Sequence, residues 1–253
     1  MWIFPLTATV VAAAFAVLVG REAAIRRRHY LVAWTIALAM YAVASFTVVL
    51  GIDSDWTPGL YRTYWLLGAV LTVQYLALGE LLLLLRDGRV RAALWAVVLA
   101  ATVFAVIVVT TEHVQRAAFI GRDLPLGKEV FGQVLLTGDG PEFHGAGTAY
   151  RLAQFYSYPA YVILVAGAVW SALRMRKTGT RKGRAQGTLL IAAGATIVAV
   201  GSGVGAGLDV VWLFSVCLAA GIAVMFLGFL RASRPSSRRV ARRETQRSFH
   251  TFR

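Results

Sequence analysis

The sequence predicts an all-α polytopic membrane protein: a bundle of seven transmembrane helices, N-terminus out and C-terminus in. Three observations predict it. The chain is 58% hydrophobic with a mean hydropathy of +0.66, too little polar surface to coat a soluble globule, so lipid must solvate most of it. Seven long apolar runs divide it. And 21 of its 26 Lys and Arg residues fall in alternate gaps between those runs and in the C-terminal segment.

The runs cover roughly 2–20, 30–51, 63–85, 92–110, 152–173, 186–207 and 209–230, each long enough for a helix to cross roughly 30 Å of hydrocarbon. Helices are the expectation because lipid leaves every backbone polar group to be satisfied internally. The first run lacks a basic start and is followed by Arg21, Arg26, Arg27 and Arg28, so it reads as a retained helix rather than a signal peptide. The second and third lead to Arg86, Arg89 and Arg91 on the same side as that first cluster. The fourth opens onto the longest connection, about 111–151, whose Gly and Pro residues include Gly138-Asp139-Gly140-Pro141. Its middle, 128–136, is either a short surface helix or a plain connector. The fifth ends in Arg174, Arg176, Lys177, Arg181, Lys182 and Arg184; the sixth and seventh are separated only by Gly207-Leu208-Asp209, a tight hairpin. The other face holds five cations, Arg62, Arg116, Arg122, Lys128 and Arg151, and eight acids, among them Asp53, Asp55, Glu112 and Glu142. The positive-inside rule then sets the orientation.

Two domains of unequal weight follow: 1–232 in the membrane, and a basic tail, 233–253, expected to be disordered. The tail either anchors the topology, at about 1 kcal/mol per cation near anionic headgroups, or docks a partner. The net charge of +14 is thereby assigned to the lipid bilayer and its cytoplasmic-face headgroups, with no specific nucleic acid partner. The expected location is the plasma membrane.

Several chemistries lack their residues. Microbial rhodopsins carry retinal on a lysine of the last helix, and 209–230 has none. No histidine lies mid-span, which removes a bis-histidine haem. Neither His-Glu-x-x-His nor Cys-x-x-Cys occurs, and Cys217, the single cysteine, forms no intrachain disulfide. His113, Glu112, Glu142 and His144 have no spacing that fixes a metal, so no metal or cofactor is expected. Gly201-Ser202-Gly203-Val204-Gly205-Ala206 fits a loose dinucleotide pattern but ends a membrane helix. The better reading of Gly187, Gly194, Gly201 and Gly205 is close helix packing through small residues.

Candidate functional residues lie in two places. Glu80 is the only acid in the interior of a run, Asp209 standing at the first position of the last. An ionised carboxylate there costs roughly 2.5–3.5 kcal/mol on insertion scales, so it is either a proton or cation site, a gating switch, or a carboxylate paired with Arg86 or Arg91. Gln74, on the same run, is either an interhelical hydrogen bond or a ligand contact. The outer rim is rich in aromatic and polar residues: Arg62 and Tyr64 before the third run, Arg151, Gln154 and Tyr158 before the fifth, with Pro159 disrupting the helix bonds. An interfacial aromatic belt explains the rings; the polar residues beside a kinked helix suggest a small-molecule pocket.

The stretch 28–86, with Ala33-Trp34-Thr35-Ile36-Ala37, Tyr41-Ala42-Val43-Ala44, Tyr61-Arg62-Thr63-Tyr64 and Leu78-Gly79-Glu80, resembles in layout the N-terminal seven-helix sensory regions of bacterial histidine kinases. Those proteins continue into a signalling domain. The resemblance implies a sensor whose output comes from a separate partner. The expected function is therefore receptor-like, sensory or adaptor, with a ligand site at the outer rim. The alternatives are a proton-coupled transporter using Glu80, a structural subunit of a membrane complex, and, with only His144 and Asp139 to serve as acid and base, a lipid-directed enzyme.

Overall fold

The computed structural model describes residues 2–85, 87–120, 124–137, 140–177, 182–202 and 211–233. Seven helices make up most of it: α1 (Ile3–Arg26), α2 (His29–Ser54), α3 (Pro58–Leu84), α4 (Gly88–Thr111), α5 (Thr148–Lys177), α6 (Lys182–Val200) and α7 (Val211–Ser233). Six are long and apolar enough to cross a membrane; in α6 the apolar part, Gln186–Val200, is shorter. The helices overrun the apolar runs because their polar ends carry the capping residues. Thr57 accepts the Leu60 N–H with Pro58 in the first turn, and Asp87 accepts the Arg89 N–H to open α4. Arg27, in the left-handed region at φ 49°, closes α1 through its N–H to the Ala23 carbonyl, so two residues suffice to turn the chain into α2.

α3 is not uniform. Trp65–Leu71 is a π-helix, and Thr72 returns both its N–H and its hydroxyl to the Leu67 carbonyl, five residues back. The carbonyl of Ala69, inside that segment, takes the Ser157 hydroxyl of α5 instead.

α1, α2, α3, α5, α6 and α7 pack in that order and close a ring, α7 returning to α1. Phe15 of α1 meets Phe226 and Phe229 of α7 with ring centroids 5.3 and 5.2 Å apart, and the Tyr41 hydroxyl of α2 donates to the Leu218 carbonyl of α7. The ring centre narrows to a void of about 20 Å³ whose walls include Phe15, Trp34, Leu38, Leu164 and Met225. With no polar partner on its walls, water has no reason to enter. Outside the ring, α4 touches α3 and α5 and buries only Ala105 and Val109. Its Val97, Val103 and Phe104 are more than half exposed, a face for lipid.

The connection between α4 and α5 is largely folded. A 3-10 turn, Arg116–Phe119, and a single helical turn, Gly127–Val130, precede a hairpin of β1 (Gln133–Thr137) and β2 (Gly140–His144), paired Gln133 to His144. The surface helix considered for 128–136 is thus one turn only. Gly132 packs against the Lys128 carbonyl just past its end, where a Cβ would not fit, and in the run beyond it Val134 and Thr137 are β-branched, as strands favour.

Candidate functional site

The N-terminal ends of α3 and α5 carry a lid made of residues 112–120 and 124–131. Two side chains at the start of α3 hold it, and a third ties α3 to α5. The Tyr61 hydroxyl donates to the Pro125 carbonyl at 3.0 Å, Arg62 Nη2 to the Glu112 carbonyl at 2.7 Å, and the Trp65 indole N–H to the Ala149 carbonyl at 3.1 Å. Their spacing along one helical turn lets all three face the same side. Tyr61 is fully buried, ringed by Trp56, Tyr64, Trp65, Phe119 and Phe131 at centroid distances of 5.4–6.0 Å. Gly127 lies flat on the Trp65 ring, where a Cβ would collide. Glu112 completes the lid: its carboxylate accepts the N–H groups of Thr148 and Ala149 at 2.6 and 2.5 Å, a negative charge on the orphan donors that open α5.

The six residues singled out for ligand binding do not converge. Arg62 and Tyr64 belong to the lid contact: Arg62 spends Nη2 on a loop carbonyl while its Nε is buried without a partner, and Tyr64 packs on Trp56 and Tyr61. Arg151 is exposed. Gln154 and Tyr158 form a pair at 3.5 Å, and Tyr158 is 65% exposed, outside the lid. Gln74 lies deeper in α3 with its amide oxygen buried and unpartnered. Pro159 sits inside the continuous α5; further along that helix Val162, Trp170 and Leu173 form an open apolar face and no enclosed pocket. Of the acids and histidines considered for a metal, Glu112 is committed to α5, and among the described residues no group of three His, Cys, Asp or Glu could hold an ion.

Glu80 is 3% exposed, near the far end of α3, against Gly167 and Ser171 of α5. The glycines of α6 and Gly201 just past its end face α7: Gly187 opposite Gly228, Gly194 opposite Gly221 and Met225, Gly201 opposite Cys217. Gly205 lies outside the described residues, as do Arg86 and the tail. Sequence reading did not find Glu112, Trp65 or Ser157 as positioning groups. Each acts on a backbone group 36 or more residues away, and no local pattern marks such a contact.

Six helices of this length and apolarity make the chain a multi-pass membrane protein. Compared with known proteins, it matches no family model, no characterised protein and no solved structure.

Proposed function

We propose that the chain is a receptor-like or adaptor protein of the plasma membrane, with seven spans, the N-terminus outside and the C-terminus inside, and that the lid on α3 and α5 is its sensing part. The observation that carries this is the set of three adjacent side chains, Tyr61, Arg62 and Trp65, each given to a backbone carbonyl of the lid or of the start of α5. Two of these bonds latch the lid to α3. Below them the π segment of α3 is tied to α5 through Ser157, so a rearrangement above reaches both helices along their length. π segments recur at functional positions, and here one carbonyl of the segment, that of Ala69, takes a donor from another helix.

The seventh span in this reading is α6, whose 19 residues give about 28 Å. Charge alternation supports the orientation, and the exposed Arg26, Arg27, Arg28 and Arg89 suit anionic headgroups of the cytoplasmic leaflet. A carrier is the weaker reading, because the ring centre is narrow and apolar and seven spans do not divide into two inverted repeats.

Native mass spectrometry of the protein released from its own membranes tests the proposal. A small molecule retained by the wild type and lost in Arg62→Ala, at equal membrane yield, is the expected result. A wild type that emerges bare, or always joined to another polypeptide, would overturn it in favour of a structural subunit.

A further inference from the structure

Two carbonyls of α3 each take a donor from another helix. The Ser157 hydroxyl of α5 donates to Ala69 at 2.5 Å, and the Trp34 indole of α2 donates to Leu76 at 3.2 Å. The two acceptors stand about two helical turns apart. At Ala69 the foreign donor coincides with the π segment, Trp65–Leu71. Such a segment holds one residue more than an α-helix does between the same flanking turns. Thr72 registers the excess: its hydroxyl returns five residues, to Leu67, where those of Thr35, Thr63 and Thr102 return four. At Leu76 the helix is α, yet its carbonyl already has an outside donor of the kind that accompanies the π turn above. Gly79 gives that indole its place, since a Cβ there would collide with the Trp34 ring.

The residues between these two points are held unequally. Tyr75 is committed to α4, its hydroxyl 3.2 Å from that of Thr102 and its ring centroid 6.4 Å from that of Trp95. Its neighbour Gln74 has its amide oxygen buried with no hydrogen-bond partner, a costly state for a carbonyl shut away from water. If the extra residue passes from Ala69 to Leu76, the ends of α3 stay where they are. The stretch between advances by up to one position, at most about 100° of rotation and 1.5 Å of rise. Gln74 then turns toward the place of Tyr75, where the Thr102 hydroxyl can donate to its oxygen. Thr72 returns its hydroxyl to an ordinary acceptor four residues back, the Gly68 carbonyl. Tyr75 turns toward the place of Leu76, on the wall of the void shared with Trp34, Leu38 and Leu164.

We propose that α3 has two resting positions for its π turn, one at Ala69 pinned by Ser157 and one at Leu76 pinned by Trp34, and that passage between them carries a change at the lid end of the helix toward its Leu84 end. The described structure is the first position. The rearrangement is local: it exchanges the hydrogen bond between Tyr75 and Thr102 for one from Thr102 to Gln74 and leaves both ends of the helix in place. It does not depend on what the lid senses.

Photo-cross-linking of the full chain in lipid vesicles tests this. With p-benzoylphenylalanine in place of Tyr75, mapped adducts report where that side chain points. They fall on α4 between Trp95 and Thr102 in the first position, and on α2 or α5 around Trp34, Leu38 and Leu164 in the second. The probe lacks the Tyr75 hydroxyl in every variant alike, so comparisons between variants hold. Ser157→Ala, which unpins the first position, should raise the share of α2 and α5 adducts about threefold, the factor set by an average interhelical hydrogen bond. Gln74→Leu, which removes the bond gained in the second, should lower that share by about the same factor. Deletion of Leu67 removes the extra residue and should confine the adducts to α4, whether or not Ser157 is replaced. Adduct shares that do not move in these directions in Ser157→Ala and Gln74→Leu overturn the proposal. So does a share on α2 and α5 that survives the deletion at wild-type membrane yield; should the deletion variant fail to fold, the two substitutions decide alone.

Discussion

Replacing Tyr61 by Phe removes one oxygen and leaves the ring in its cage of Trp56, Tyr64, Trp65, Phe119 and Phe131. What is lost is the 3.0 Å hydrogen bond to the Pro125 carbonyl. Both residues are buried, so the carbonyl is left without a donor and without water. A net hydrogen bond and the desolvation of its abandoned partner together amount to about 1–3 kcal/mol. Because lids open locally rather than by unfolding the domain, that cost falls on the opening equilibrium, a shift of about 5- to 150-fold. Hydrogen–deuterium exchange in lipid nanodiscs reads it directly. The Gln115 amide, bonded to the Val130 carbonyl, and the Val130 amide, bonded to Leu126, should exchange faster by a factor in that range, with α1, α2 and α7 unchanged. Unchanged exchange at these amides would refute the latch. Acceleration throughout the bundle would refute the local character of the lid.

Glu112→Ala removes the carboxylate that receives the Thr148 and Ala149 N–H groups and should cost about 0.5–2 kcal/mol, seen as a lower melting temperature in detergent and faster exchange confined to the first turn of α5. Ser157→Ala frees the Ala69 carbonyl in the π segment and should cost about 0.6 kcal/mol, the average for interhelical hydrogen bonds in membranes; a neutral result in thermal melts would show that the π turn does not need it. Gly194→Val puts side-chain atoms into the Gly221 carbonyl and Met225 and should destabilise by about 1–3 kcal/mol or more. Gly59→Ala, with open space at its Cβ position, should leave the melting temperature unchanged.

The described part of each apolar run is helical but for a residue at the ends of the first and third, because runs rich in Leu, Val and Ala leave few other options in lipid; residues 203–210, which end the sixth run and open the seventh, lie outside the described residues. Helix ends were less legible: Pro58 and Gly88 belong to caps, which hydropathy does not weigh. The π turn at Trp65–Leu71 has no signature of its own, since its residues suit an α-helix equally well. At the rim, the concentration of Tyr and Trp was visible in the sequence, but its partner was not. Phe119 and Phe131 reach Tyr61 from a loop 58 or more residues downstream, and the belt explanation had no need of them. The strand at Gln133–Thr137 was no more legible: it lies in a mixed apolar stretch that changes from helix to strand at Gly132.

Cysteine accessibility in intact cells asks most directly whether the lid faces outward on a bundle whose basic ends face inward. In a Cys217→Ala background, Asp53→Cys and Lys128→Cys should react with a membrane-impermeant maleimide on whole cells, while Arg27→Cys and Arg89→Cys should react only after permeabilisation. Labelling of Arg27→Cys or Arg89→Cys on whole cells, or protection of both Asp53→Cys and Lys128→Cys, would contradict the orientation and with it the placement of the sensing lid.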